Sequence, residues 1–254
     1  YTGGRRQTLL RLNPDAGCAV GIKLMDRRIV CALTDLQSKV LHYHDLPMPI
    51  DTEVSHVVAL LADAVEETVR RSGVEPKKLL GVGIGIAGVT YPQQGIVHYS
   101  PYLGWRDVPL ASLMRVRLHL PTYLENDVNT LTLAEQLFGA GRHVENFVVV
   151  TIGRGIGMGI VINHQLYQGA KGGMGEIGHI TFDAAGPICS CGKRGCLEAF
   201  AADPAVVAYV RQSRASQVPP TRLEDVIAMA DAGDSLAISA LARSGEILGV
   251  GLST

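Results

Sequence analysis

A chain of 254 residues, 47% hydrophobic and 19% charged, is long enough for two lobes and apolar enough to bury substantial cores, which excludes a disordered chain. Its net charge of −1 supplies none of the basic surface on which nucleic-acid binding rests, so these residues alone do not hold DNA. The five cysteines are an odd set with three clustered, which predicts a reducing cytoplasm rather than a disulfide framework.

Residues 1–14 read as a linker that opens polar and basic, with no apolar core behind it and hence no signal peptide. Tyr1 in place of an initiator Met, and a helical pattern that runs from Ser235 to Thr254 without a stop signal, predict a fragment of a longer protein. A turn at Asn13-Pro14-Asp15 leads into three short strands, Cys18–Leu24, Arg28–Thr34 and Val40–Leu46, joined by tight polar turns as an antiparallel meander. Cys18 and Cys31 fall in these apolar runs as buried thiols. A helix follows from an Asp51 N-cap to Gly73, with Val54, Val57, Val58, Leu61, Val65 and Val69 on one face. Leu79–Ala87 is a continuous apolar run of strand length, which predicts a buried parallel strand. The most apolar stretch, Leu79–Val89, is too short and glycine-rich to cross a bilayer, so no membrane partner is expected.

A long loop is expected from Gly88 to Asp107, then a helix over Leu110–His119 and a short strand at Tyr123–Glu125. The theme then repeats: helix Val128–Phe138, strand Phe147–Ile152, a Gly-rich turn, strand Gly159–Ile162, a loop through the cysteines, and helices after Leu197. This predicts a linker at 1–14, an N-terminal α/β lobe over 15–123 and a C-terminal α/β lobe over 124–254. The lobes should meet near 120–127, and ligand sites tend to lie between such lobes.

His179 precedes Cys189 by ten residues, and Cys189-x-Cys191-x4-Cys196 follows. Three thiolates and one imidazole form a closed tetrahedral set for Zn²⁺, which leaves no position for a catalytic water, so the ion is structural. The alternative is a buried-cysteine loop with a chance histidine. The run Gly186-Pro187-Ile188-Cys189-Ser190-Cys191-Gly192-Lys193-Arg194-Gly195-Cys196-Leu197-Glu198 after Gly178-His179 resembles the zinc signature of the ROK family of bacterial repressors and sugar kinases. Glu125-Asn126-Asp127 and Gly175-Glu176-Ile177-Gly178-His179 resemble that family in the same order. The resemblance implies a two-lobed actin-like/ribonuclease H-like α/β fold with a ligand cleft between the lobes, and a homodimer or homotetramer.

Asn126, Asp127, Glu176, His179 and Glu198 offer the mix of donors and acceptors that a sugar needs, and the resemblance implies that all five surround one. His179 would serve both zinc and ligand, since a metal-bound imidazole presents its second nitrogen as a donor. Gly85-Ile86-Ala87-Gly88 keeps a glycine-rich strand end, so Gly88 lets backbone approach the ligand. Taken singly, Asp127 also reads as a helix N-cap and Glu176 and Glu198 as solvated charges. Tyr102 stands where many family members have Asn, and a phenol there would reshape the pocket.

Kinases of this family carry a small-residue turn between the first two strands that wraps ATP phosphates, with an Asp that helps to hold Mg²⁺. Here the stretch is Lys23-Leu24-Met25-Asp26-Arg27-Arg28, with Lys23 in place of the acid and Met25 and Asp26 in place of the glycines. In the second phosphate turn, Ile152-Gly153-Arg154-Gly155-Ile156-Gly157, Arg154 stands where kinases show Thr. Asp127, a general base in a kinase, becomes an acceptor for the sugar. The expectation is therefore a non-enzymatic, cytoplasmic, sugar-responsive repressor: its effector-binding and oligomerisation part, reaching DNA through an N-terminal winged helix-turn-helix that precedes these residues. Sugar binding would close the lobes and change the spacing of the DNA heads. The competing expectation is a glucokinase or N-acetylhexosamine kinase with an unusual nucleotide turn.

Overall fold

The computed structural model describes residues 12–25, 27–48, 53–169, 172–213 and 219–253. The chain divides into two compact units, Tyr1–Asp127 and Val128–Thr254.

In the first unit, β1 (Cys18–Leu24), β2 (Arg28–Asp35) and β3 (Val40–Pro47) form the expected antiparallel meander. Its turns are held by local polar contacts: the Met25 N–H donates to the Arg28 carbonyl, and the Asp35 carboxylate accepts from the N–H groups of Gln37 and Lys39. Side chains alternate across β1, so Cys18, Val20, Ile22 and Leu24 are buried on one face. Helix α1 (Val54–Ser72) covers that face with Val57, Val58, Leu61, Val65 and Val69. Fully burying one such side chain contributes roughly 1.5–3 kcal/mol. The observed cap is Glu53, whose carboxylate accepts from the N–H groups of Ser55 and His56, whereas the expected cap, Asp51, lies outside the described residues. Gly73 ends the helix at φ 71°, as its C′ position requires.

Strand β4 (Leu79–Ile86) then joins β1 in parallel register. The stretch expected as a loop instead carries a three-stranded antiparallel sheet, β5 (Val89–Tyr91), β6 (Ile96–Ser100) and β7 (Trp105–Val108). Prolines and glycines at 92, 95, 101 and 104 read as loop chemistry, but they turn strands too short to show a period of their own. Helix α2 (Leu110–Leu118) packs beside α1, and β8 (Thr122–Asn126) adds to β4 in parallel, giving the order β3-β2-β1-β4-β8. One apolar cluster runs through the unit from Cys18 to Leu124.

Helix α3 (Asp127–Phe138) begins directly after β8, and from Val128 onward it belongs to the second unit. Strands β9 (Phe147–Ile152), β10 (Ile156–Ile162) and β11 (Gln165–Leu166) form an antiparallel sheet in the order β11-β10-β9. β10 starts three residues before the expected Gly159, because its glycines serve close packing rather than a turn: a Cβ at Gly159 would stand 1.9 Å from the Thr132 hydroxyl of α3. The cysteine loop follows a 3-10 turn at Ile177–His179. After it come α4 (Glu198–Ala201), α5 (Asp203–Gln212), α6 (Leu223–Asp231) and α7 (Ser235–Ser253). Helix α7 is long and apolar enough to cross a bilayer by length and composition alone. Ala237, Ala240, Ser244, Ile247, Leu248 and Gly251 are buried along it at helical spacing, the stripe of a helix lying on a core.

Candidate metal centre and ligand-binding residues

His179 sits at the end of the 3-10 turn, and the cysteine loop folds back on it as a short hairpin. Cys189 N–H donates to the Lys193 carbonyl and Gly195 N–H to the Pro187 carbonyl. The ammonium of Lys193 donates to the His179 carbonyl at 2.7 Å, which ties the loop to the turn that carries the imidazole. One donor atom from each of His179, Cys189, Cys191 and Cys196 lies within 4.8 Å of the other three, so the cluster could hold a metal ion.

The spacing tests which ion would fit. Donors bound about 2.0–2.3 Å from a tetrahedral zinc stand about 3.5–3.8 Å apart. Cys189 Sγ lies 3.6 Å from His179 Nδ1, and Cys191 Sγ lies 3.7 Å from Cys196 Sγ. Two sulfurs in a disulfide would be about 2.05 Å apart, so the second pair is a pair of thiols. Burial, together with the neighbouring Cys191 and Cys189, pushes the Cys196 thiol up to about 12. Burial also raises Cys191, but the Lys193 backbone N–H, hydrogen bonds from Cys189 and Cys196, and the Lys193 charge outweigh it and leave that thiol below its ordinary range. Thiols crowded in this way are a donor set for a divalent cation, whose charge reverses their mutual opposition.

His179 presents Nδ1 to the cysteines, while its Nε2 faces the Glu176 carboxylate at 3.9 Å. Glu198 opens α4, two residues after Cys196. Its Oε2 accepts from the Ile156 N–H at 3.1 Å and its Oε1 from the Ser190 hydroxyl at 3.0 Å. Sequence reasoning missed the Ser190 contact, because spacing alone does not show which loop side chain turns toward Glu198.

In the first unit, Asn126 ends β8, and its amide donates to the Gly88 carbonyl at 2.9 Å. Gly88 has φ 122°, and a Cβ there would stand 2.1 Å from the Tyr99 carbonyl, so only glycine brings this backbone against β6. Asp127 begins α3, where a carboxylate suits the helix N-terminus. The ammonium of Lys23, at the end of β1, stands 3.7 Å from Asp127 Oδ2. Tyr102 lies in the turn between β6 and β7 and is 37% exposed. A shallow depression lined by Arg115, Val116, His119, Leu120, Pro121 and Tyr123 lies toward the other end of β8 and holds none of the candidate residues.

The model of the ROK family matches residues 19–254. The chain belongs to the ROK family. The xylose repressor of Caldicellulosiruptor bescii is 32% identical over 99% of this ROK chain, which spans 65% of that relative's length. A solved ROK-family transcriptional regulator, a homologue of the E. coli MLC protein, has a TM-score of 0.83 at 30% identity, covering 94% of this chain and 62% of that one. A ROK glucokinase from Streptomyces griseus, solved with glucose and AMPPNP, has a TM-score of 0.82 at 28% identity, covering 93% and 78%. The fold is thus the actin-like α/β fold of ROK sugar kinases and regulators. Both activities live on it, so function has to be argued from the site.

Proposed function

We propose that this ROK chain is the sugar-sensing and assembly part of a transcriptional repressor and does not transfer phosphate. The observation that carries the reading is the Lys23–Asp127 pair. Asp127 is the residue a family kinase would use as its base, and Lys23 occupies the position of the acid that helps to hold Mg²⁺. An ammonium at that position repels a divalent cation and occupies the carboxylate that would take the sugar proton. The similarity to a xylose repressor supports the same reading.

In this proposal Asn126, Asp127, the Gly88 backbone, Glu176, His179 and Glu198 are the sugar-binding groups. Zn²⁺ on His179, Cys189, Cys191 and Cys196 is structural: it orients the imidazole and fixes the loop, and it activates no water. A winged helix-turn-helix preceding these residues contacts DNA, the chain works as a homodimer or homotetramer, and its free thiols suit the cytoplasm.

Coupled ATP turnover and thermal shifts with D-xylose, D-glucose and N-acetyl-D-glucosamine test the proposal. The expected outcome is stabilisation by at least one sugar without turnover. Phosphorylation that disappears in Asp127→Asn overturns it in favour of a kinase, the reading that similarity to the glucokinase keeps in play. His179→Ala should lose both zinc and sugar affinity.

A further inference from the structure

We propose that Ser190 is the positioning residue through which the metal loop sets the sugar-binding carboxylate of Glu198; this rests on the sugar-binding reading above. Glu198 needs both oxygens fixed if it is to accept from sugar hydroxyls in one geometry. Its Oε2 is held by the N–H of Ile156, the first residue of β10. Its Oε1 has two side chains of the loop within reach, the Ser190 hydroxyl at 3.0 Å and Cys189 Sγ at 3.8 Å. A metal-bound thiolate carries no proton. Of these two, Ser190 alone then donates to Glu198.

Ser190 stands between the two ligands Cys189 and Cys191, so its backbone is fixed by whatever fixes them. Its Oγ also lies 3.8 Å from Cys189 Sγ, so the hydroxyl touches both the metal donor and the carboxylate oxygen, the three atoms forming a small triangle. The hydroxyl is thus a one-atom connection from metal occupancy to the orientation of Glu198. Such a connection makes zinc and sugar binding mutually favourable, and thermodynamic linkage requires the gain to be equal in both directions. The role is one of positioning, because Ser190 acts through Glu198 and needs no contact with the sugar.

The test compares the zinc-loaded wild-type chain with Ser190→Ala and Ser190→Thr. Sugar affinity is read by calorimetry with D-xylose, D-glucose and N-acetyl-D-glucosamine, and zinc retention by competition with a chromophoric chelator. Ser190→Ala should bind sugar about five- to tenfold more weakly, the order of one ordinary hydrogen bond, since the serine acts on the sugar only through Glu198. Its zinc retention without sugar should stay within twofold of wild type. Saturating sugar should strengthen zinc retention in the wild type and less so in Ser190→Ala. Ser190→Thr, which keeps the hydroxyl, should restore the sugar affinity.

Unchanged sugar affinity in Ser190→Ala overturns the proposal, as does a threonine variant as weak as the alanine variant. Loss of zinc together with sugar in Ser190→Ala also overturns it, since the serine would then be part of the metal loop's own architecture. A wild-type chain that binds none of the sugars overturns the functional reading and this inference with it. Wild-type binding with an indifferent Ser190→Ala overturns the inference alone.

Discussion

The two units bury their apolar residues in different ways. The first has one continuous cluster that draws on β1, β2, α1, β4, β6, β7, α2 and β8. Among the described residues, the second has two smaller clusters: one behind the cysteine loop, with Ile156, Leu197, Ala201 and Ile247, the other among α5, α6 and α7. Between the sheet and those helices, the described residues 172–197 carry a 3-10 turn and isolated bridges but no α-helix or strand, and the four candidate metal donors sit there. A region that cannot stabilise itself by apolar burial alone is where a metal staple contributes most. The same loop carries Ser190, His179 and, at its end, Glu198, so the staple and the proposed recognition residues share one short piece of chain.

Removing the metal should affect the two units most unequally. Chelation, or Cys196→Ser, should lower the melting transition of the second unit by more than about 10 °C, since structural zinc contributes several kcal/mol and each costs a few degrees. The first unit's transition should stay in place, which calorimetry or hydrogen exchange resolved by unit would check. A single transition that moves as a whole would show that the two cores depend on one metal.

The reverse experiment strikes the first unit. Leu61 is fully buried in α1, and Leu61→Ala should cost roughly 2–5 kcal/mol in denaturant unfolding while zinc retention is unchanged.

Lys23→Met sharpens the functional side of the contrast. The Lys23 side chain is half exposed, so its pair with Asp127 should matter little to stability, under about 1 kcal/mol in thermal or urea unfolding. Removing the ammonium should change sugar affinity without producing ATP turnover, because the turn after β1 still lacks small residues.

The smallest effect is a pH dependence confined to the first unit. Burial, then the charges of Arg71 and His42, hold the His44 imidazole below its ordinary value of 6.5. The Thr68 hydroxyl gives its proton to the Ala64 carbonyl at 2.6 Å, so at 3.3 Å from His44 Nδ1 it acts as acceptor for the neutral ring. The unfolded chain therefore binds the proton more readily than the folded one. Stability from this group is present above 6.5 and is lost as the pH falls from there toward the lower folded value. His44→Gln should flatten that part of the pH profile of unfolding.

The meander was legible because period-2 burial and local turn chemistry both lie in adjacent residues, as in Arg28–Asp35 and the Asp35 turn. Helix α1 was legible from its stripe, although its cap fell at Glu53. Strands β5 to β7 were not legible: three to five residues with turn residues at both ends carry no detectable period, and only their partners make them strands. The clustering of His179, Cys189, Cys191 and Cys196 could be read because these residues are close in sequence and chemically distinctive. The Lys23–Asp127 contact could not, since it joins the end of β1 to the residue after β8 through β4, and register across three strands is a tertiary fact. The same holds for Ile156, whose N–H meets Glu198 from a different strand.

The four candidate metal donors all lie within residues 179–196, which bears on the order of folding. Closing so short a loop costs little chain entropy, whereas the parallel pairings of β4 and β8 in the first unit must wait for long crossovers. During synthesis the hairpin of Cys189 and Cys196 is complete before α5, α6 and α7 emerge. An ion captured at that moment would offer α7 a preformed floor at Leu197, in the cluster that Ile247 and Leu248 join.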